Sequence, residues 1–363
     1  MIMTESAVYT PHLAGKKVLL TGGTGFVGRH LLPQLLEAGA QVTCLTRAAS
    51  RTGHLPAGVE TVQADLSTGQ GLAEALHGKD VVIHMAALLF GLGWQDYLRA
   101  NALAARSMAS AITSLARAGN LGADFRFVLV SSLAATGPCG TAPGVDDAKP
   151  PAPVSAYGWS KMLTEQVLGR ALGQSLVTLR PPIIYGSGDK GLLPVFQGVM
   201  RAHVAVSPGA GREFPVSAVH ADDMAQAVLC ACKPEASGVY HLSDGEAYTM
   251  SGFCRVMGAA VDKALGRAPR NVRVVRMPLP VMACTAGLST AFAVAADAVS
   301  RRLLGRGLRR APAWNLDKYR EARQAGWLCD NSRICRELGF APRVSLEAGM
   351  TEAIDGYRRE GWL

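Results

Sequence analysis

Short apolar runs alternate with segments of helical periodicity along the first half of the chain. The runs cover residues 17–20, 41–45, 59–66, 81–87 and 127–130 and are rich in Val, Ile and Leu. Continuous apolar runs of this length, separated by helices, are typical of parallel strands buried on both faces. The pattern therefore predicts an α/β fold with a doubly wound parallel sheet.

The alternation loosens after residue 186, which indicates a second structural unit. We expect the sheet domain to comprise residues 15–186 plus 216–243, and a smaller C-terminal lobe to comprise 187–215 plus 244–363. A chain of 363 residues fits two such units. A lobe over the carboxyl ends of the strands would leave a substrate cleft between the two units.

A glycine-rich turn, TGGTGFVG, follows the first predicted strand directly and precedes a helical segment. Gly22, Gly25 and Gly28 permit a tight turn and close approach of a pyrophosphate, while Phe26 and Val27 begin the helix. The free N–H groups and positive dipole end of that helix favour phosphate binding. The turn predicts a dinucleotide site, which makes the expected sheet Rossmann-type.

The end of the second predicted strand bears on the identity of the dinucleotide. An Asp or Glu at this place would hold the ribose 2′-hydroxyl of NAD. The sequence instead has Arg47 and, four residues later, Arg51. We expect NADP, bound through Arg47, in preference to NAD. The alternative is that both arginines are simply solvated surface residues.

Three polar residues form the candidate catalytic group. Ser132 follows the strand at 127–130, and the segment YGWSK places Tyr157 and Lys161 four residues apart, on one face of a helix. A lysine ammonium beside a phenol should lower the phenol pKa and prepare it for proton transfer. Ser132 would hydrogen-bond the same substrate oxygen.

These segments together resemble the extended short-chain dehydrogenase/reductase family over nearly the whole chain. Further matching pieces are Asn101, VIHMAA at 82–87, LRPPIIYG at 179–186 and VHADD at 219–223. The resemblance implies that Tyr157 is the general acid/base, that Lys161 binds the nicotinamide ribose and that Ser132 polarises the substrate oxygen. Besides the glycine turn and Arg47, it implies cofactor contacts from these residues: Asp65, Leu66, Ala86, Ala87, Tyr157, Lys161 and Ile183.

Substrate-side positions distinguish the members of this family. Leu133 and Ala134 stand where 4,6-dehydratases carry an Asp-Glu pair, which argues against elimination of water. Ile183 and Val216 stand where sugar-nucleotide epimerases carry phosphate-binding Asn and Arg. The sequence is most similar to the 3β-hydroxysteroid dehydrogenase and dihydroflavonol reductase branch, which implies hydride transfer at a secondary alcohol or ketone of an apolar substrate.

Two alternatives to that activity stay open. A nucleotide-sugar epimerase remains an alternative because Arg212 stands in the same stretch as Val216. A non-catalytic dinucleotide sensor is a lesser alternative, since such proteins usually lack the Tyr or the Lys. The candidate substrate contacts are Phe90, Trp94, Leu133 and Arg212.

Composition narrows the classes of partner. The net charge of +9 favours anionic ligands, but no stripe of Lys and Arg with interleaved aromatics indicates nucleic-acid binding. The eight cysteines form no CxxC pair, so neither a metal site nor a disulfide framework is expected. The N-terminal residues lack the pattern of a secretion signal, which favours the cytoplasm.

One apolar segment raises the question of a membrane. Residues 278–296 carry no charge and precede an arginine-rich stretch. Residues 278–310 are thus either a buried lid helix or a peripheral contact with anionic lipid. The family resemblance also implies a homodimer.

Overall fold

Thirteen strands are present in the residues that the structure, a computed structural model, describes: 10–208, 213–268, 270–305, 307 and 311–363. Their bounds are β1 Lys17–Thr21, β2 Gln41–Thr46, β3 Glu60–Gln63, β4 Val81–His84, β5 Arg126–Val130, β6 Leu176–Arg180, β7 Ile183–Tyr185, β8 Val204–Pro208, β9 Pro215–Val216, β10 Ala218–His220, β11 Gly238–His241, β12 Tyr248–Thr249 and β13 Arg273–Met277.

Thirteen α-helices accompany these strands in the same described ranges. They are α1 Phe26–Glu37, α2 Leu72–Leu76, α3 Trp94–Tyr97, α4 Ala104–Arg117, α5 Leu133–Thr136, α6 Ala156–Leu172, α7 Leu193–Ala202, α8 Ala221–Ala231, α9 Met250–Ala264, α10 Leu279–Leu304, α11 Leu316–Ala322, α12 Ser332–Leu338 and α13 Leu346–Arg359. A π-helical turn, Leu98–Leu103, joins α3 to α4. Two short 3₁₀ helices lie at Pro11–Leu13 and Gly173–Ser175.

The central sheet has seven parallel strands in the order β3-β2-β1-β4-β5-β6-β11. Alternate residues of each strand face opposite sides, so Val18 and Leu20 of β1 pack in one core cluster and Leu19 packs in the other. The first cluster includes Leu31 of α1, and the second includes Met108 of α4. The predicted Rossmann-type doubly wound sheet is confirmed.

A third core cluster forms a smaller lobe. Helices α7, α9 and α13 pack around Phe196, Phe253 and Tyr357, all of which are buried. The pairs β7–β10, β8–β13 and β9–β12 form two-stranded sheets beside them. Residues beyond α11 do not all belong to this lobe, since Ile334 and Leu338 of α12 pack in the core of the central sheet.

Candidate active site

The three predicted catalytic residues lie where two elements meet at the carboxyl end of the sheet. Ser132 caps α5 directly after β5, and its Oγ accepts a hydrogen bond from the Ala134 N–H at 3.2 Å. Tyr157 and Lys161 occupy successive turns at the start of α6, which packs against α5. Both side chains are buried, and Tyr157 is 9% exposed.

The environment of Tyr157 differs from the sequence-based expectation. Burial raises the pKa of Tyr157 to about 12, and hydrogen bonding to Ser132 opposes that rise. The predicted lowering of this pKa by Lys161 was therefore wrong for the protein alone, because loss of hydration disfavours the phenolate more strongly than its neighbours stabilise it. Tyr97, Ala134 and Trp327 surround the ring with apolar surface.

Lys161 is held by the backbone and not by a carboxylate. Its Nζ donates a hydrogen bond to the carbonyl oxygen of Val130 at 2.7 Å, at the end of β5. Burial lowers the pKa of Lys161 to about 8, and the charge of Glu165, one turn further along α6, opposes that shift. The ammonium thus stays largely protonated at neutral pH.

The glycine turn has the geometry that a pyrophosphate requires. Gly22 has a φ of 81°, and a Cβ there would lie 2.9 Å from the Ala86 backbone nitrogen. A Cβ at Gly28 would lie 2.3 Å from the carbonyl oxygen of Gly23. No side chain caps α1, whose N-cap is Gly25, so its first N–H groups are available to an anion. These residues fit a dinucleotide.

A hydrogen-bonded contact joins the ends of β1 and β4 beside this turn. Thr21 Oγ1 lies 2.8 Å from His84 Nδ1 and accepts a hydrogen bond from the Ala86 N–H at 3.2 Å. Burial lowers the pKa of His84 to about 3, and the charge of Lys161 adds to that effect. His84 is therefore a neutral, packed residue that fixes the strand end carrying Ala86 and Ala87.

The predicted adenosine contacts lie at the ends of β2 and β3. Arg47 is exposed, and its N–H donates a hydrogen bond to Ser50 Oγ at 3.0 Å. Asp65 is exposed and accepts hydrogen bonds from the N–H and hydroxyl of Ser67, which lower its pKa; the Arg47 charge lowers it further. Leu66 is half-buried against the sheet core.

The predicted substrate residues have different surroundings. Phe90 is half-buried, and Trp94 is 40% exposed at the start of α3. Leu133 is 2% exposed and packs against Val145 and Cys329, so its side chain contributes to the core. Arg212 lies outside the described residues.

The two positions that replace the phosphate-binding residues of epimerases also differ from each other. Ile183 in β7 is half-buried and pairs with Ala218 of β10. Val216 in β9 is 1% exposed, so its side chain has almost no surface for a ligand. The valine is therefore a packed residue, and it pairs with Tyr248 of β12.

Sequence reasoning did not identify a group of residues that α11 brings to the start of α6, the helix that carries Tyr157 and Lys161. Asp317 accepts hydrogen bonds from the N–H groups of Ala156 and Tyr157, at 2.6 and 3.1 Å. Lys318 Nζ lies 4.6 Å from the centroid of the Tyr157 ring. The segment NLDK indicates a helix start, with Asn315 as N-cap, but contains no signal of a contact 160 residues away.

No metal centre is evident in the described parts of the chain. They contain no group of three or more His, Cys, Asp or Glu side chains that could hold an ion. All eight cysteines are free.

The chain matches a family model and is similar to several known enzymes. Residues 18–243 match the model of the NAD dependent epimerase/dehydratase family. The chain is similar to a ceramide reductase from Caulobacter vibrioides, with 33% identity over 95% of this chain and 96% of the relative. It is also similar to a 3-beta-hydroxysteroid dehydrogenase from Mycolicibacterium neoaurum, with 29% identity over 71% of this chain and 72% of the relative.

A solved structure resembles the fold over almost its full length. MoeE5 in complex with UDP-glucuronic acid and NAD aligns with a TM-score of 0.66 and 21% identity, covering 95% of this chain and 99% of that chain. The predicted family resemblance is confirmed by these matches. The chain is an enzyme of the NAD dependent epimerase/dehydratase family.

Proposed function

We propose that this enzyme transfers hydride reversibly between a nicotinamide dinucleotide and a secondary alcohol or ketone of an apolar substrate. The observation that carries the proposal is the environment of Tyr157, whose ring packs against Tyr97, Ala134 and Trp327. An apolar molecule loses little hydration free energy in such surroundings, whereas a charged diphosphate would need polar partners. The burial of Val216 is a second support.

The chain's own residues would then handle the proton. A bound nicotinamide supplies the hydride donor or acceptor. During alcohol oxidation Tyr157 takes the hydroxyl proton, and during ketone reduction it returns that proton to the alkoxide oxygen. Ser132, next to the phenol, would hydrogen-bond the same oxygen. Lys161, buried beside Val130, would bind the nicotinamide ribose and stabilise the phenolate.

The substrate class is proposed to be a long-chain lipid ketone. The full-length similarity to a ceramide reductase supports this class. A ceramide carries a secondary hydroxyl, and a hydride can be delivered to that carbon only when it is at the ketone level. The corresponding probe is a ceramide with one secondary hydroxyl oxidised to a ketone.

Three probes separate this function from epimerisation: the keto-ceramide, a 3-ketosteroid and UDP. We expect reduced nicotinamide to be consumed with the keto-ceramide, and UDP to leave the melting temperature unchanged at saturating cofactor. A ligand at about 100 times its Kd stabilises the folded state by about 2.7 kcal/mol, so UDP binding would be visible. A clear UDP shift without ketone turnover would make the nucleotide-sugar epimerase the better assignment.

The preference for NADP over NAD is a separate proposal, since the family description names only NAD. Arg47 is exposed at the end of β2, where it could pair with a 2′-phosphate. Because a hydrogen bond to a charged group contributes about 1.5–3 kcal/mol, we expect Arg47→Ala to weaken NADPH binding about tenfold or more and to leave NADH binding unchanged. Fluorescence titration with both cofactors measures this, with the exposed Arg336→Ala on α12 as control. Equal affinities in the native enzyme would contradict the proposal.

Helix α10 supports the proposed peripheral contact with a membrane. It is the one helix in the described residues long and apolar enough to cross a bilayer, and only 17% of that stretch is buried. Five of its six exposed large apolar side chains recur at intervals of seven and four residues, which places them on one helix face: Val281, Leu288, Phe292, Val299 and Leu303. The sixth, Val294, lies on another face. The exposed Arg301 and Arg302 in its last turn favour an anionic surface.

This surface predicts binding to lipid vesicles. We expect the enzyme to cosediment with phosphatidylglycerol vesicles more than with phosphatidylcholine vesicles. Phe292→Asp should reduce the partition coefficient at least about tenfold, because it removes a large apolar side chain that the bilayer would bury and adds a negative charge. Ala298→Asp, exposed on another face of α10, is the matched control. Equal sedimentation of both variants and the native enzyme would argue against the contact.

The two-domain division and the homodimer are further proposals. Residues 15–186 plus 216–243 would bind the dinucleotide, and 187–215 plus 244–363 would supply substrate contacts, although α12 packs with the sheet core. The outer faces of α4 and α6 line a shared groove that would form the dimer contact.

A further inference from the structure

Helix α11 belongs to the C-terminal part of the chain but caps the catalytic helix. The carboxylate of Asp317 accepts the N–H groups of Ala156 and Tyr157, while Ser155 Oγ accepts that of Gly158 at 2.9 Å. The same Ser155 hydroxyl donates to Glu321 Oε1 at 2.6 Å. The first turn of α6 therefore takes its hydrogen-bond partners from its own N-cap and from α11.

Between those two carboxylates, α11 presents a cation to the catalytic tyrosine. Lys318 Nζ lies 4.6 Å from the centroid of the Tyr157 ring and 5.6 Å from that of Phe90. It also donates to Glu321 Oε2 at 2.9 Å, and the lysine side chain is 20% exposed. Lys318 is thus held in place over the ring by an ion pair and two aromatic faces.

We propose that Lys318 is a positioning residue for the reaction, which holds its ammonium over the Tyr157 ring and stabilises the phenolate during proton transfer. The inference rests on the proposed acid/base function of Tyr157. A cation at this distance attracts the phenolate more strongly than the neutral phenol, and the attraction is larger at a buried site than in water.

The surroundings of the phenol disfavour its ionised form, and a nearby cation would oppose that effect. Glu321 and the burial of the ring both disfavour the phenolate. Asp317 brings a second carboxylate to the same end of α6, and Lys161 on the next turn is the other cation. Neutral Tyr97 lies on another side, with its ring centroid 6.0 Å away. Lys318 therefore places a positive charge over the Tyr157 ring, beside the carboxylates of Asp317 and Glu321.

The test is the pH dependence of kcat/KM for alcohol oxidation, with the ceramide as substrate and oxidised nicotinamide in excess. The base form of Tyr157 is the phenolate, so activity falls as pH drops below the pKa of Tyr157. Removing the cation raises that pKa and moves the falling limb to higher pH. For Lys318→Met we expect a shift of about 0.5–1 unit, which is about a three- to tenfold loss on the limb. Lys318→Arg keeps a cation at this position, so we expect it to retain most of the activity that Lys318→Met loses on this limb.

Three parallel measurements make the outcome decisive. Arg323→Met removes an exposed charge at the end of the same helix and should leave the profile unchanged. An unshifted limb in Lys318→Met would overturn the proposal, as would equal losses at all pH values in Lys318→Met and Lys318→Arg. Tyr157→Phe is measured beside them: if it stays active, the proposed function itself fails, whereas an inactive Tyr157→Phe with an unshifted Lys318→Met refutes only the role of Lys318.

Discussion

Replacing Tyr157 by phenylalanine should lower kcat about 10²–10⁴-fold while leaving cofactor binding intact. The variant deletes only the hydroxyl that we propose exchanges a proton with the substrate. The ring is 9% exposed among Tyr97, Ala134 and Trp327, and phenylalanine fills the same space. Consumption of reduced nicotinamide with the keto-ceramide measures turnover, and fluorescence titration measures cofactor binding.

Tyr97 offers a matched control for this loss. It is a buried tyrosine whose ring lies 6.0 Å from that of Tyr157, and its hydroxyl donates to the carbonyl oxygen of Leu89 at 3.4 Å. Tyr97→Phe removes a hydroxyl from the same cluster without touching the proton path. We expect it to keep most of the turnover. Native-like activity in Tyr157→Phe would show that another group carries the proton.

Removing Arg180 should lower the free energy of unfolding by about 3–5 kcal/mol, since it leaves a buried carboxylate without its partner. The guanidinium makes a bidentate pair with Glu165, at 3.0 and 2.6 Å, and both side chains are almost fully buried. Arg180 also donates to Thr136 Oγ1 at 3.1 Å. Urea denaturation of Arg180→Met measures the change.

The buried Arg180–Glu165 pair is also hydrogen-bonded to the residue that follows β5. Glu165 accepts a hydrogen bond from the hydroxyl of Ser131, the neighbour of Ser132. We therefore expect the double variant Arg180→Met/Glu165→Met to recover much of the lost stability, because no unpaired charge remains. Arg276→Met, which breaks an exposed pair with Glu213, should cost about 1 kcal/mol or less. If Arg180→Met lowered the free energy of unfolding no more than Arg276→Met does, the buried-charge explanation would be contradicted.

Much of the nucleotide-binding half was predictable because its signals are local. The apolar runs correspond to β1–β5, and the glycine turn stands between β1 and α1 as expected. Gly22 shows why. It has a positive φ, and a Cβ at this position would lie only 2.9 Å from the Ala86 nitrogen, so the geometry requires a glycine. Tyr157 and Lys161 were chosen from their helical spacing together with the glycine turn and the serines after β5, and α6 carries both residues.

The tertiary structure decided the pKa of Tyr157 and the burial of individual side chains. Spacing placed Lys161 near Tyr157, but burial is the largest influence on the phenol and raises its pKa. Leu133 and Val216 were chosen by position in a motif, and packing made both core residues.

The sequence by itself determined the sheet, the dinucleotide turn and the Ser-Tyr-Lys group, since each depends on residues close together in the chain. Only the tertiary structure decided which distant groups surround the phenol of Tyr157. Asp317, Lys318 and Glu321 lie about 160 residues from Tyr157 and reach it through the packing of α11 on α6. No local periodicity or motif encodes such a contact, because it depends on how two separately formed elements meet.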